Sequence, residues 1–206
     1  MELITAPEPV DDLTRYYRRL LDQGDGGAFL ALHPSEHEQA LVRLSRAGLP
    51  ASAGINISFP YDHPLRYLFF AGLNHSPTDR PEHFAHANTA LRLSAVWLAG
   101  DSFADEQLAL DALGLTISPS APDFPFLPEA GMVRLADGAL YLLPARHARL
   151  SRRVVGVTLD VRDLATAVTR LESAAVPFRR LAAATGRRSV VVNPDNAHGI
   201  WLELRQ

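Results

Sequence analysis

The amino-acid sequence predicts an α+β protein made of repeated βαβββ modules that pair into a curved mixed sheet around a cavity. Residues 154–206 show one complete module: an alternating β-branched segment, a segment with helical spacing, and three further alternating segments. The same order of elements begins again near Ala28 and near Leu91. The chain therefore carries an internal repeat, and each copy predicts one module.

The first 27 residues predict the closing strand and the helix of an incomplete module. Residues 1–4 match the apolar, acidic, apolar pattern of a closing strand, and two prolines end that segment. Apolar side chains recur at helical spacing over residues 10–21, which predicts a helix. Either this module is abbreviated or the chain continues upstream. The glycines of residues 24–27 lack the spacing of a phosphate-binding loop, so we interpret them as a turn.

Residues 28–87 predict a βαβββ-like module and a connector. Ser35 and Glu38 have the spacing of a capping box at the start of its helix. The predicted elements are, in order, a strand at 28–32, a helix at 40–47, strands at 55–59 and 65–73, and a polar connector at 74–86.

Residues 88–206 predict two modules that pair with each other. Asp101 or Ser102 is expected to cap the first helix of this pair, and Asp163 the second. The predicted elements are, in order, a strand at 91–98, a helix at 103–113, strands at 116–118, 131–135 and 139–143, and then a strand at 154–161, a helix at 164–175 and strands at 178–181, 189–193 and 199–204. A proline-rich excursion runs through Phe126 between the second and third of these strands.

Composition predicts the compartment and excludes several chemistries. The 206 residues are 47% hydrophobic without an apolar run that could span a bilayer or a basic leader, so we expect a cytoplasmic protein that does not bind membranes. With 0 Cys and only Arg among its 20 basic residues, the chain lacks thiolate nucleophiles and lysine Schiff-base chemistry. A net charge of -3, with no aromatic residues among the arginine pairs, predicts no nucleic-acid partner.

Three segments resemble the glyoxalase-like branch of the vicinal oxygen chelate superfamily. Two lie in the last module: Gly-Val-Thr-Leu-Asp-Val-Arg-Asp at residues 156–163 and Asn-Pro-Asp-Asn-Ala-His-Gly-Ile-Trp-Leu-Glu-Leu at residues 193–204. The third, His-Phe-Ala-His-Ala-Asn-Thr-Ala at residues 83–90, is similar to the turn that precedes a module in that branch. Their order extends the resemblance over roughly the last 120 residues.

The resemblance implies a cavity between paired modules and often a divalent metal such as Zn, Mn, Ni or Fe. In that family the ligands are commonly a first-strand His and a last-strand Glu of each module, which leave open positions for two adjacent substrate oxygens. The matching positions here are Ser94, Gly156, Leu142 and Glu203. Only Glu203 is a usual ligand, so the resemblance gives it the role of metal ligand or general base.

Histidines offer a second set of possible metal ligands. His75 lies at the end of a predicted closing strand, as Glu2 does, and is the candidate that we name beside Glu203. His83, His86 and His198 lie in predicted loops. The alternative is that these histidines are exposed or make ordinary hydrogen bonds.

Alternation of side chains also predicts the lining of the cavity. The predicted cavity-facing residues are Arg92, Ser94 and Val96 on one strand, Gly156, Thr158 and Asp160 on a second, and Trp201, Glu203 and Arg205 on a third. Trp97 falls on the opposite face, which predicts packing against a helix. In the alternative interpretation, Arg92 and Asp160 form a structural ion pair and Trp201 belongs to the core.

Two functions remain open on these observations. The first is a glyoxalase-like enzyme of lyase, isomerase or dioxygenase type that acts on a small molecule with vicinal oxygens. The second is a metal-free protein of the bleomycin-resistance type, in which Trp201 stacks on a planar ligand and Glu203 or Asp160 neutralises its charge. The incomplete first module further predicts a homodimer of about twice 22.5 kDa, because an exposed sheet face needs a cover.

Overall fold

Four helices and two mixed sheets make up the part of the chain that the computed structural model describes, namely residues 5, 8–72, 80, 82, 85–148, 150–182 and 186–206. The helices are α1 (Asp12–Leu21), α2 (His37–Arg46), α3 (Ala104–Ala112) and α4 (Leu164–Ser173). The first sheet contains β1 (Leu30–Leu32), β2 (Ser52–Ala53), β3 (Ile57–Ser58) and β4 (Leu68–Phe70). The second contains β5 (Ala90–Gly100), β6 (Ile117–Ser118), β7 (Gly131–Leu135), β8 (Gly138–Pro144), β9 (Val154–Val161), β10 (Phe178–Ala182), β11 (Arg188–Val192) and β12 (Trp201–Arg205).

Both sheets repeat one strand order. The first sheet runs β1-β4-β3-β2, and its neighbouring strands β1 and β4 are parallel. The eight-stranded sheet runs β10-β11-β12-β9-β5-β8-β7-β6, so each half has the same order, and the antiparallel pair of β5 and β9 joins the halves. The predicted α+β fold of βαβββ modules is therefore confirmed. The proposed domain boundaries after residues 27 and 87 stay predictions.

The eight-stranded sheet has two chemically different faces. We call the face that carries Thr158 and Glu203 the cup face, and the opposite face the outer face. Helix α4 covers one half of the outer face through Leu164, Ala167 and Val168. Helix α3 and the first sheet share a core with the other half, so the outer face holds the modules together.

Capping explains where some helices begin. Asp163 caps α4 as predicted, because its carboxylate accepts hydrogen bonds from the amides of Ala165 and Thr166 at 2.9 and 3.2 Å. The predicted capping box at the start of α2 is wrong, since Glu36 is the N-cap and makes no capping bond through its side chain. None of the helices in the described ranges has the length and apolarity that a membrane crossing requires.

Glycines let the segment after α1 lie directly on the last module. A Cβ atom on Gly27 would lie 2.4 Å from the carbonyl oxygen of Val154, and one on Gly199 would lie 2.0 Å from that of Asp25. Gly199 also has a φ of 80°, which favours glycine. The predicted turn at residues 24–27 is thus followed by a close contact with the last module, and Gly27 is needed for that packing.

Helix α1 brings aromatic side chains to the first sheet. The ring of Phe29 lies 5.6 Å from that of Tyr16, 5.4 Å from that of Tyr17 and 6.2 Å from that of Phe69 on β4. The chain itself therefore covers part of the face on which the predicted homodimer was based. The homodimer stays a prediction. The predicted strand at residues 1–4 lies outside the described residues.

Candidate functional site

A β-bulge in β5 decides which of its side chains face the cup. The register between β5 and β9 shifts between Leu93 and Ala95, and beyond the shift Trp97 pairs with Gly156. Paired side chains point to the same face, so Trp97 lies on the cup face, while Val96 packs into the outer core. The prediction that Val96 faces the cavity and Trp97 a helix is wrong, because strict alternation ends at a bulge.

Aromatic side chains fill the cup. Trp97 is fully buried, and its ring centroid lies 4.7 Å from that of Phe124 and 4.9 Å from that of Phe126. Phe124 stacks on Tyr141 at 4.0 Å with 7° between the ring planes, and Phe126 lies 4.9 Å from Trp201. Contacts of this kind stabilise a core beyond the effect of buried area alone. We call these five side chains the aromatic cluster. The space between their rings is therefore packed.

Two members of the aromatic cluster come from residues 119–130, a connection that we call the proline loop. Its buried side chains are spaced three residues apart: Ala121, Phe124, Leu127 and Ala130. The amide of Phe124 donates to the carbonyl of Ala121 at 2.8 Å, and that of Ala130 to Leu127 at 2.9 Å. Prolines in these turns occupy positions whose φ they fix in advance. The loop is thus a preformed insert with one apolar side.

The sequence reasoning missed the role of the proline loop, although a signal was present. An apolar residue directly precedes a proline three times in succession, at Ala121-Pro122, Phe124-Pro125 and Leu127-Pro128. A three-residue period of this kind matches successive turns that keep one side buried. What the period does not indicate is that this side packs into the cup.

A chain of hydrogen bonds runs across the floor of the cup. The indole Nε1 of Trp97 donates to Thr158 Oγ1 at 2.9 Å, and that hydroxyl donates to Glu203 Oε2 at 2.7 Å. Paired positions on the parallel strands β9 and β12 place Thr158 beside Glu203. All three side chains are 0% exposed, so the carboxyl group lies in the interior of the protein.

Burial raises the pKa of Glu203. Loss of solvent raises the pKa of its carboxyl group, and this effect exceeds the opposing effects of Ser189, Thr158 and Arg205. Oε1 is buried without a hydrogen bond of normal geometry, as is Ser189 Oγ on the neighbouring strand. A carboxyl group with a raised pKa favours its neutral form, which can both donate and accept a hydrogen bond. Glu203 is the strongest candidate in the cup for direct contact with a ligand.

A second polar network lies at the other end of the cup face. The guanidinium of Arg205 donates to Asp160 Oδ1 at 3.1 Å, to Ser94 Oγ at 3.0 Å and to the hydroxyl of Tyr141 at 3.3 Å. Ser94 donates to Asp160 Oδ1 at 2.7 Å, and Arg92 donates to Oδ2 at 2.9 Å. Every predicted site residue of this end therefore binds another residue of the same network.

Asp160 is an ionised and fully engaged carboxylate. Burial acts to raise its pKa, but the hydrogen bonds from Ser94, Arg92 and Arg205 outweigh it, so the pKa lies below its ordinary value. The geometry matches the alternative interpretation, in which Arg92 and Asp160 form a structural pair. With its oxygens already bonded, Asp160 is a poorer partner for a ligand than Glu203 is.

Trp201 joins the aromatic cluster at the edge of the cup. Its side chain is half-buried, and its Nε1 donates to the backbone carbonyl of His147 at 3.3 Å. A Cβ atom on Gly156 would lie 2.8 Å from atoms of both Trp97 and Trp201. Glycine is therefore required at this position for the two indoles to fit side by side.

Solved structures of other proteins share this architecture, although no family model and no curated protein matches the sequence. A catechol 2,3-dioxygenase has a TM-score of 0.60 at 12% identity, covering 88% of this chain and 69% of that one. The Mn(II)-bound glyoxalase from Novosphingobium aromaticivorans has a TM-score of 0.52 at 15% identity, covering 86% and 62%. This chain has the vicinal oxygen chelate fold. Methylmalonyl-CoA epimerase from Mycobacterium tuberculosis is also similar, with a TM-score of 0.48 at 17% identity over 61% of this chain and 94% of that one.

The family resemblance of the sequence predicted a possible divalent metal, but the donor set of this cup does not fit one. The central cup-facing positions are Trp97, Tyr141, Thr158 and Glu203. Glu203 is the usual ligand type among them, and an indole offers no lone pair to a metal. The predicted position Leu142 belongs to the outer core, and its neighbour Tyr141 faces the cup instead.

Histidines do not complete a metal site among the described residues. In that part of the chain, no group of three or more His, Asp or Glu side chains could hold a metal ion. His86 is exposed, and His198 contacts Asp25 with 3.1 Å between Nδ1 and Oδ2. His75 and His83, like Glu2, lie outside the described residues.

Proposed function

We propose that this chain binds a planar small molecule in the cup without a metal, with Glu203 as the group that recognises it. The observation that carries the proposal is the buried carboxyl group of Glu203, whose Oε1 makes no hydrogen bond of normal geometry among the described residues. A buried polar atom without a partner is costly, and a ligand with a complementary group removes that cost. Of the two functions open from the sequence, this geometry favours the metal-free binding protein.

The surroundings of Glu203 support a ligand that is planar and is neutral or cationic. Aromatic rings share the cup face with it, and flat rings pack well against them. A neutral carboxyl group accepts a ligand N–H and donates to a ligand oxygen, whereas a cationic ligand draws off its proton and forms an ion pair. A carboxylate ligand forms no ion pair in this cup, because Arg205 is already bonded to Asp160.

Intrinsic fluorescence tests this proposal directly, because both tryptophans of the chain belong to the aromatic cluster. The titration uses single-ring and two-ring planar compounds that carry an amine, an amide, a carboxylate or no polar group. We expect amines and amides to bind about tenfold more tightly than matched carboxylates, which is the effect of about one hydrogen bond. Binding that is equal across the four groups, or absent for all of them, overturns the proposal.

Two variants make the titration specific to Glu203. Glu203→Gln keeps the size of the side chain but cannot ionise, so the preference for amines over carboxylates should disappear. Glu106→Gln is the matched control, because Glu106 is also buried but lies on α3, where it accepts a hydrogen bond from Tyr67 at 3.0 Å. The control should bind the same compounds as the wild type does.

A metal-dependent enzyme acting on vicinal oxygens is the second candidate, and its support is the fold shared with the Mn(II)-bound glyoxalase. Elemental analysis of the purified chain separates the two. The binding proposal expects less than stoichiometric Zn, Mn, Ni or Fe and the same ligand affinity with and without a chelator. Stoichiometric metal that is lost in Glu203→Gln would replace the proposal with the enzymatic one.

A further inference from the structure

Phe126 is held in the cup in the way that a ring-shaped ligand would be. Its ring centroid lies 4.9 Å from that of Trp97, 4.9 Å from that of Trp201 and 5.6 Å from that of His147. The guanidinium carbon of Arg179 lies 5.7 Å from the same centroid. We call these four side chains the ring cage. Three aromatic groups and a cation around one ring form a favourable environment for any aromatic group.

Phe126 differs from Phe124, the other ring that the proline loop inserts. Phe124 is fully buried and stacks on Tyr141, whereas Phe126 is only half-buried. The turn bonds that shape the loop are made on either side of Phe126, at Phe124 and at Ala130. These turn bonds therefore do not depend on the position of the Phe126 side chain.

The ring cage also contains a polar atom that Phe126 does not use. His147 Nε2 is buried and has no hydrogen-bond partner among the described residues. Burial and the neighbouring Arg146 lower the pKa of His147, so its imidazole is neutral at ordinary pH and can donate or accept a hydrogen bond. The His147 ring is inclined at 68° to that of Phe126, which is an edge contact between the two rings. A ring with a polar substituent would use this atom.

We propose that the ring cage is a subsite for a single aromatic ring with a hydroxyl substituent, and that Phe126 occupies it until such a ring displaces it. The subsite rests on the proposed function for its use, because a cup ligand would enter through it. The substrate class is then phenol-like, and Phe126 is the residue that limits access to the ring cage. Its geometry does not depend on the protonation of Glu203.

Removal of the Phe126 side chain tests the subsite without knowledge of the natural ligand. In Phe126→Ala, phenol and toluene are titrated while tryptophan fluorescence is followed. We expect phenol to bind with a Kd on the order of 1 mM, the strength of a one-ring fragment. Toluene should bind about fivefold more weakly, the effect of one hydrogen bond to His147. In Phe126→Ala combined with His147→Phe, the two compounds should bind equally.

A matched control removes a similar ring from the other face of the sheet. Phe178 is half-buried on β10, and the guanidinium carbon of Arg180 lies 5.4 Å from its ring centroid. Phe178→Ala loses the same atoms beside a cation but has no cage, so it should bind neither compound. If phenol binds the two variants equally, or does not bind folded Phe126→Ala, the subsite does not exist.

Two further measurements keep the outcome clear. Should Phe126→Ala not fold, Phe126→Val is titrated with phenol and toluene instead, because it also leaves most of the ring volume empty. The same results then support or overturn the subsite. The subsite and the proposed function also fail separately. Phenol binding to Phe126→Ala that Glu203→Gln does not alter supports the subsite even when wild-type protein shows no preference among the planar compounds.

Discussion

The two halves of the eight-stranded sheet have the same backbone and opposite chemistry in the cup. Val96 pairs with Val157 at their junction, and exchange of the halves relates Trp97 to Thr158 and Tyr141 to Glu203. One half thus contributes two aromatic rings to the centre of the cup, whereas the other contributes a hydroxyl and a carboxyl group.

The comparison shows how a repeated module can build one asymmetric site. Aromatic rings from one half would collide with rings of equal size from the other half. At Gly156 the absence of a side chain prevents such a collision, because a Cβ atom there would strike both indoles. The polar half supplies the hydrogen-bonding groups, and the aromatic half with the proline loop excludes water from them. Exclusion of water is what raises the pKa of Glu203. The repeat preserves strand order, while the chemistry of each copy diverges.

The aromatic half should account for most of the stability of the cup. Phe124→Ala removes a fully buried ring from its stack on Tyr141, and we expect it to lower the free energy of unfolding by about 3–5 kcal/mol. Phe178→Ala, which removes a half-buried ring, should cost clearly less. Urea unfolding followed by circular dichroism measures both. Equal losses would mean that the aromatic half packs no better than the surface does.

The link between the halves should be the next largest effect. Thr158→Val keeps the shape of the side chain but leaves Trp97 Nε1 and Glu203 Oε2 without a partner, so we expect a loss of about 1–3 kcal/mol. Thr169→Val is the control, because Thr169 is exposed on α4 and bonds only within its helix. A variant at position 158 as stable as this control would show that the two halves are energetically independent.

Glu203 should make the polar half less stable as pH rises. Its folded-state pKa is raised, so its stabilising effect is complete below the unfolded pKa and is lost as pH rises through the folded value. Each unit of the shift corresponds to about 1.4 kcal/mol. Glu203→Gln should therefore match the wild type near pH 4 and become the more stable of the two as pH rises, as measured by urea unfolding. Parallel stability curves for the two proteins would show that Glu203 ionises normally.

The modules were predictable because their signals are local. The alternating segment at residues 154–161 became β9, and Asp163 began α4, since both depend on neighbours in sequence. In β5 the same rule failed at the bulge, which no local pattern indicated. One extra residue there reversed the predicted faces of Val96 and Trp97.

The site was less predictable because its contacts join distant parts of the chain. Alternation predicted that Thr158 and Glu203 face the cavity, each from its own strand. Their hydrogen bond depends on the pairing of β9 with β12, which alternation does not predict. The insertion of Phe126 beside Trp201 depends on where the proline loop packs, which propensity does not encode. The assignment of Asp160 as a ligand group could not anticipate that three side chains would engage it.

The smallest effect should come from Arg92, at the rim of the polar half. Its side chain is 59% exposed, and Asp160 keeps its bonds to Ser94 and Arg205 when Arg92 is replaced. Arg92→Gln should therefore cost less than about 1 kcal/mol at pH 7, as an exposed ion pair does. The pKa of Asp160 is lowered, so this contribution is present above its unfolded pKa and is lost as pH falls through the folded value, the reverse of Glu203.

Arg18→Gln is the matched control for this pair, because Arg18 is similarly exposed and bonds Asp22 at 2.9 Å outside the cup. Urea unfolding at pH 7 should give both variants small losses that added salt reduces, since exposed ion pairs are screened. If Arg92→Gln costs clearly more than Arg18→Gln and salt does not reduce the loss, the rim pair supports the whole Asp160 network. The polar half would then depend on its rim as well as on the buried Arg205.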